Sequence, residues 1–173
     1  MRTSSQRPRR LLFQWLVMLA VLLASDVARA GLLDLFFGEG PLLKQRVQMG
    51  PDGLALFGSF RVATKCGYEF DLRLLHKQEK FGELDALFDG GAFPVPVTLR
   101  VFPEGDRGAG AVVQFEQAPR ISSRAAVMTI FNLARASLDK GRYRVELKSA
   151  AVPKLAGVDV DFVVQLRPKT SCS

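Results

Sequence analysis

Few residues in this 173-residue sequence have the types and spacing to do chemistry. His76 is the one histidine, and a general base needs a nucleophile beside it. No Gly-x-Ser-x-Gly elbow exists to supply an activated serine, so His76 is expected as a solvated side chain in the 75–80 turn. Zinc wants three or four nitrogen or sulfur ligands, and one histidine with two distant cysteines does not provide them. Glu69 with Asp71, and Asp159 with Asp161, stand two residues apart, which on a strand puts both carboxylates on one face. Such a pair could attract a hard cation if a third ligand joined it. Glu69, Asp71 and Glu116 could also serve a hydrolase if two of them faced each other across a cleft at about 5–9 Å, as glycoside chemistry requires. Solvated faces and cross-strand ion pairs are the plainer expectation. The run Gly105-Asp106-Arg107-Gly108-Ala109-Gly110 has the glycine content of a phosphate cradle but lacks the Lys-Ser/Thr and helix start that complete one, so it reads as a hairpin connection. Arg120, Arg124 and Arg135 could gather as an anion site or be scattered over the surface.

The elements that must position these groups begin after a leader. Residues 1–30 have a positive stretch (Arg2, Arg7, Arg9, Arg10), an apolar run from Leu11 to Ala24 and the small-residue site Ala28-Arg29-Ala30. These are the three zones of a cleavable signal peptide, and the apolar run is shorter than the ~20 residues a spanning helix needs. Cleavage is expected after Ala30 by the general secretory route, and no cysteine stands there to take a lipid anchor. The mature protein is therefore expected in the periplasm or secreted, with no integral membrane segment. Removing the leader takes away five basic residues and one acidic, leaving 19 against 16 and a formal charge of +3. Both signs are interspersed, so nucleic acid is not an expected partner.

About 143 residues then remain, the size of one domain. Residues 31–43 form an apolar segment in which Leu32, Leu33, Leu35, Phe36 and Phe37 crowd together. They either pack on the domain's own core or dock on a partner. Residues 44–173 are expected as the domain proper. Leu54–Thr64 reads as a strand with a bulge or bend at Gly58, and Tyr68, Phe70, Leu72 and Leu74 alternate with Glu69, Asp71 and Arg73, whose side should face water. Residues 78–88 switch to helical spacing through Phe81, Leu84 and Phe88, stopped by Asp89-Gly90-Gly91. Strands follow at 95–102, 111–116 and 127–133, the first placed at a sheet edge by Pro94 and Pro96. The two clearest strands come last, through Tyr143, Val145 and Leu147 and through Val158–Leu166, and are expected to pair with each other. Seven or eight such strands with one short inserted helix predict an all-β fold, an antiparallel β-sandwich.

Leu138-Asp139-Lys140-Gly141-Arg142-Tyr143-Arg144-Val145 resembles the tyrosine corner of immunoglobulin-like sandwiches, in which a tyrosine beginning a late strand bonds back to the preceding turn. Asp139, Gly141 and Tyr143 would carry it, although Val145 stands where antibody domains have cysteine. The stretch 54–166 also resembles a family of small exported bacterial proteins known only as a domain of unknown function, through Gly67-Tyr68-Glu69-Phe70-Asp71-Leu72, Gly141-Arg142-Tyr143 and Pro153-Lys154-Leu155-Ala156-Gly157-Val158. That resemblance implies an all-β, immunoglobulin-like sandwich and no catalytic residue.

Cys66 and Cys172 both follow the cleavage site, are even in number and would meet an oxidising compartment, so they are expected to form a disulfide. A sandwich without an assembled catalytic set points to a non-catalytic binding or interaction module of the bacterial cell envelope, without cofactor. A carboxylate-dependent periplasmic hydrolase is the alternative. The partner is expected to be a protein or an envelope component. Protein is favoured over glycan because the only Trp is Trp15 in the leader, and most of the 13 Phe fall in apolar patterns.

Overall fold

Alternation of apolar and polar residues decides the strands, and one of them, β3 (Cys66–Leu75), shows how. Its inward side chains Tyr68, Phe70, Leu72 and Leu74 are buried, each worth about 1.5–3 kcal/mol of transfer free energy. The computed structural model describes residues 40–105, 108–168 and 172. The expected leader, Leu32, Leu33, Leu35, Phe36 and Phe37, and Asp106 and Arg107 of the glycine-rich run lie outside them.

In chain order the elements are β1 (Leu43–Gln48), β2 (Leu54–Val62), β3, the helix α1 (Phe81–Leu87), β4 (Val97–Pro103), β5 (Val113–Gln117), β6 (Ile121–Ala125), β7 (Met128–Leu138), β8 (Gly141–Ser149) and β9 (Asp159–Leu166). Every strand pairing among the described residues is antiparallel. One sheet has the order β1-β9-β3-β7-β6 and the other β2-β8-β4-β5. Between them Phe70, Leu72 and Phe162 meet Val97, Leu99, Val145 and Leu147 in one apolar core. The described residues thus form an antiparallel β-sandwich with one short inserted α-helix. Its early and late strands interleave in each sheet. This is the double Greek-key order of a jelly roll with β6 added at one edge, whereas the immunoglobulin order keeps the first two strands side by side. β1 and β6, the two strands the alternation did not reveal, are both short edges with half-buried or exposed residues.

Four sequence expectations change. β8 and β9 are not neighbours: β8 lies between β2 and β4, and β9 between β1 and β3. Each has one apolar face, and the two faces meet across the core instead of lying side by side. The long connection, plugged by the fully buried Leu155, carries the chain from one sheet to the other. β4 is an interior strand, because Pro94 and Pro96 both precede its first residue and remove no ladder bond. Gly58 makes no bulge. Its pairing with Val145 is regular, and a Cβ there would lie 2.9 Å from Gln45 Oε1 and 3.4 Å from Leu43, so its smallness lets β1 close over β2. The polar side of β3 is not left to water either, since Asp71 is only 4 % exposed.

One end of the sandwich is latched. The Tyr143 hydroxyl donates to the Asp139 carbonyl at 2.8 Å, and the Tyr68 hydroxyl makes the same four-residue return to the Thr64 carbonyl at 3.0 Å. Burial, helped by the nearby Asp139 carboxylate, pushes the Tyr143 hydroxyl up from its ordinary pKa and keeps it a donor. Lys65 and Asp139 pair at 2.9 Å and join the two turns. Cys66 and Cys172 form a disulfide at the same end, with Cα atoms 4.6 Å apart, tying the tail to the start of β3.

Candidate functional site

The core consumes the inward side chains, so function must come from the outward ones. On the five-stranded sheet most of these satisfy one another, with the buried Arg73 Nε left without a hydrogen-bond partner among the described residues. Asp71 accepts from Asn132 Nδ2 at 3.0 Å and from Gln165 Nε2 at 3.1 Å, while Arg73 donates to Gln165 Oε1 at 2.7 Å. A β-bulge between Phe70 and Asp71 sets Asp71 opposite Asn132. Asp161, 2 % exposed, is held bidentately by Arg46 at 2.7 and 3.1 Å, with the Lys44 ammonium at 3.5 Å. The Arg46 hydrogen bonds, against the penalty of burial, hold the Asp161 carboxyl below the ordinary carboxylate range. Val163, in register between Lys44 and Asp71, has no exposed surface. Glu69 pairs with Arg135 at 3.0 Å, and Asp159 accepts from Gln48 at 3.1 Å.

The proposed chemical groupings therefore separate. Glu69 and Asp71 lie on this face with partners of their own, and Glu116 lies on the outward side of β5 in the other sheet. Arg124 pairs with Asp85 of α1, Arg135 with Glu69, and Arg120 stands exposed at an isolated bridge to Ala92. His76 follows β3 with Nε2 3.3 Å from Thr129 Oγ1, so it is not the freely solvated turn side chain expected from sequence. Among the described residues, no three of His, Cys, Asp and Glu gather as metal ligands.

The outward face of the four-stranded sheet is built differently. β2 presents Phe57, Ser59 and Arg61, β8 presents Arg142, Arg144, Glu146 and Lys148, and β4 presents Arg100 and Phe102. Phe57 is 57 % exposed, with the Lys148 ammonium 5.5 Å from its ring centroid, and Arg144 lies 5.1 Å from the Phe102 centroid. Arg142 pairs with Glu104 at 3.3 Å and Arg144 with Glu146 at 3.6 Å, while Arg61 and Arg100 make no ion pair with any described residue. Register sets Arg61 directly opposite Arg142, like charge against like. Ser59, Phe60, Arg61 and Arg142 line a groove of about 390 Å³. A second groove, of about 510 Å³, runs between α1 and the 153–158 connection with Lys80, Glu83 and Lys154 on its rim, so it carries both signs of charge. None of Glu69, Asp71 and Glu116 lines either groove.

Sequence reasoning missed this face. The one available signal was that Phe57 has outward parity in a strand whose inward positions are Leu54, Leu56 and Phe60. The opposition of Arg61 and Arg142 depends on pairing between strands about 80 residues apart and has no local sign.

No protein-family model and no curated protein matches the chain. Among solved structures it is similar to a protein of Sulfurospirillum deleyianum, with a TM-score of 0.58 and 13 % identity over 76 % of this chain and 100 % of that one. This likeness shows the β-sandwich fold. A pre-peptidase C-terminal domain of a Bacillus anthracis collagenase (11 % identity, 73 % of this chain and 90 % of that one) and a family 35 carbohydrate-binding module from an environmental isolate (10 %, 78 % and 81 %) both align with a TM-score of 0.37.

Proposed function

We propose that residues 44–173 are a non-catalytic binding domain of the bacterial cell envelope, exported by the removable leader 1–30 and acting in the periplasm or outside the cell. Its binding surface is the outward face of the four-stranded sheet, and its partner is an anionic protein or envelope component. The observation that carries this reading is the contrast in charge pairing: one sheet face pairs its buried carboxylates within the molecule, and the other presents Phe57, Arg61 and Arg100 to whatever docks there. The Cys66–Cys172 bond supports an oxidising compartment. Leu32, Leu33, Leu35, Phe36 and Phe37 are a second docking element in this reading. Deleting residues 31–40 should then leave the thermal midpoint nearly unchanged while weakening partner retention, and a large drop in the midpoint would assign the segment to core packing.

The face is tested by placing a photo-crosslinking residue at position 57 or, as a control, at position 123 on β6, in the exported protein. Intact-mass spectrometry should find an adduct from position 57 and none from 123, and the added mass reports what the partner is. Equal yield from both sites, or none from 57, refutes the assignment.

A further inference from the structure

We infer that the groove between β2 and β8 is a binding subsite for a phosphoryl group, held by Arg61, Arg142 and Ser59. The inference rests on the reading of this face as the binding surface. Like charges directly opposite in an antiparallel pair are destabilising, yet Arg61 faces Arg142 in register, and Glu104 neutralises only the second of them. The uncancelled charge is placed in a concavity, since the two arginines and Ser59 line the same groove. Each guanidinium offers five N–H donors in a rigid fork, and the Ser59 hydroxyl adds another. Arg142 meets Glu104 through Nε alone, at 3.3 Å, so most of its N–H donors are not taken by that carboxylate. Two forks and a hydroxyl around one groove suit an anion with more acceptor oxygens and more charge, which is a phosphoryl group. Phe57, two outward positions back along β2, adds exposed apolar surface beside it. The phosphoryl group belongs either to a lipid headgroup or to a soluble phosphorylated ligand.

The test titrates the mature protein with inorganic phosphate at constant ionic strength, following arginine Nε–H resonances by NMR, with co-sedimentation on phosphatidylglycerol and phosphatidylcholine vesicles in parallel. Saturable shifts are expected at Arg61 and Arg142 and not at Arg100. R61Q should weaken phosphate binding about tenfold, the worth of one charge-assisted contact. R61E should abolish binding while raising the thermal midpoint by about 1–4 °C, because it turns a repulsive cross-strand pair into an attractive one. A phosphate response with sedimentation on phosphatidylglycerol assigns the source to a headgroup, and a phosphate response without it assigns a soluble ligand. The subsite is overturned if there is no saturable response, if acetate shifts both arginines as strongly as phosphate, if R100Q weakens binding as much as R61Q, or if vesicles bind without a phosphate response. An adduct from position 57 together with any of these outcomes keeps the face and removes the subsite.

Discussion

The two sheets have the same kind of inner face and opposite kinds of outer face. Outside the five-stranded sheet, Asp71 and Asp161 are almost fully buried among Asn132, Gln165, Arg73, Arg46 and Lys44, so polarity there serves the fold. Outside the four-stranded sheet, the basic residues are exposed, Arg61 and Arg100 make no ion pair with any described residue, and Phe57 faces solvent. The difference teaches how to tell structural polarity from functional polarity. A buried polar group must find partners within the molecule, whereas an exposed one can be kept for something outside it.

The largest effect should come from the bond that anchors the five-stranded sheet. Replacing Cys66 and Cys172 by alanine opens a loop of 106-residue separation, for which the chain-entropy account gives about 4–5 kcal/mol at most. Denaturant unfolding with and without reductant measures this, and a change well under 1 kcal/mol would show that the latched end holds without it. Next, Asp71→Ala leaves the Asn132 and Gln165 amide donors without their acceptor, while Arg73 keeps Gln165 Oε1, and should cost about 2–3 kcal/mol. Glu116→Ala on the opposite face should stay within about 0.5 kcal/mol. Equal costs at the two sites would erase the contrast between the faces.

Asp161→Asn should cost less than Asp71→Ala, about 1–2 kcal/mol, because the Arg46 and Lys44 side chains it releases are half exposed and can turn to water. Its pH signature has a definite sign. The folded carboxyl is held below its unfolded value, so its stabilisation is present above that unfolded value, about 3.9, and is lost as pH falls through the folded one. The wild type should therefore lose more stability on acidification than Asp161→Asn. Parallel curves would mean that the Arg46–Asp161 bond contributes nothing. Smallest of all, Arg100→Ala and Phe57→Ser should each move stability by no more than about 0.5 kcal/mol, since neither side chain is buried. A loss of 2 kcal/mol or more at either would make this face structural as well.

The strands of the core were legible because alternation is a local property: Tyr68 to Leu74, Tyr143 to Leu147 and Val160 to Leu166 each declare an inward face without reference to the rest of the chain. The helix at Phe81–Leu87 declared itself by its change of period, and the Cys66–Cys172 bond followed from number and expected compartment. Edge strands such as β6 were hidden because a strand exposed along most of its length needs no apolar alternation. The second tyrosine return, from Tyr68 to Thr64, was visible only once both turns lay at the same end.

The sequence by itself determined which side of each core strand faces inward, since that depends only on the order of apolar and polar residues. Which strands lie beside one another was decided by the tertiary structure. Two strands with equally good apolar faces can bury them side by side in one sheet or face to face across a core, and local pattern does not separate the two arrangements. That choice sends β8 and β9 to opposite sheets and gives Asp161 to Arg46. It also leaves Arg61 facing Arg142 over an open groove.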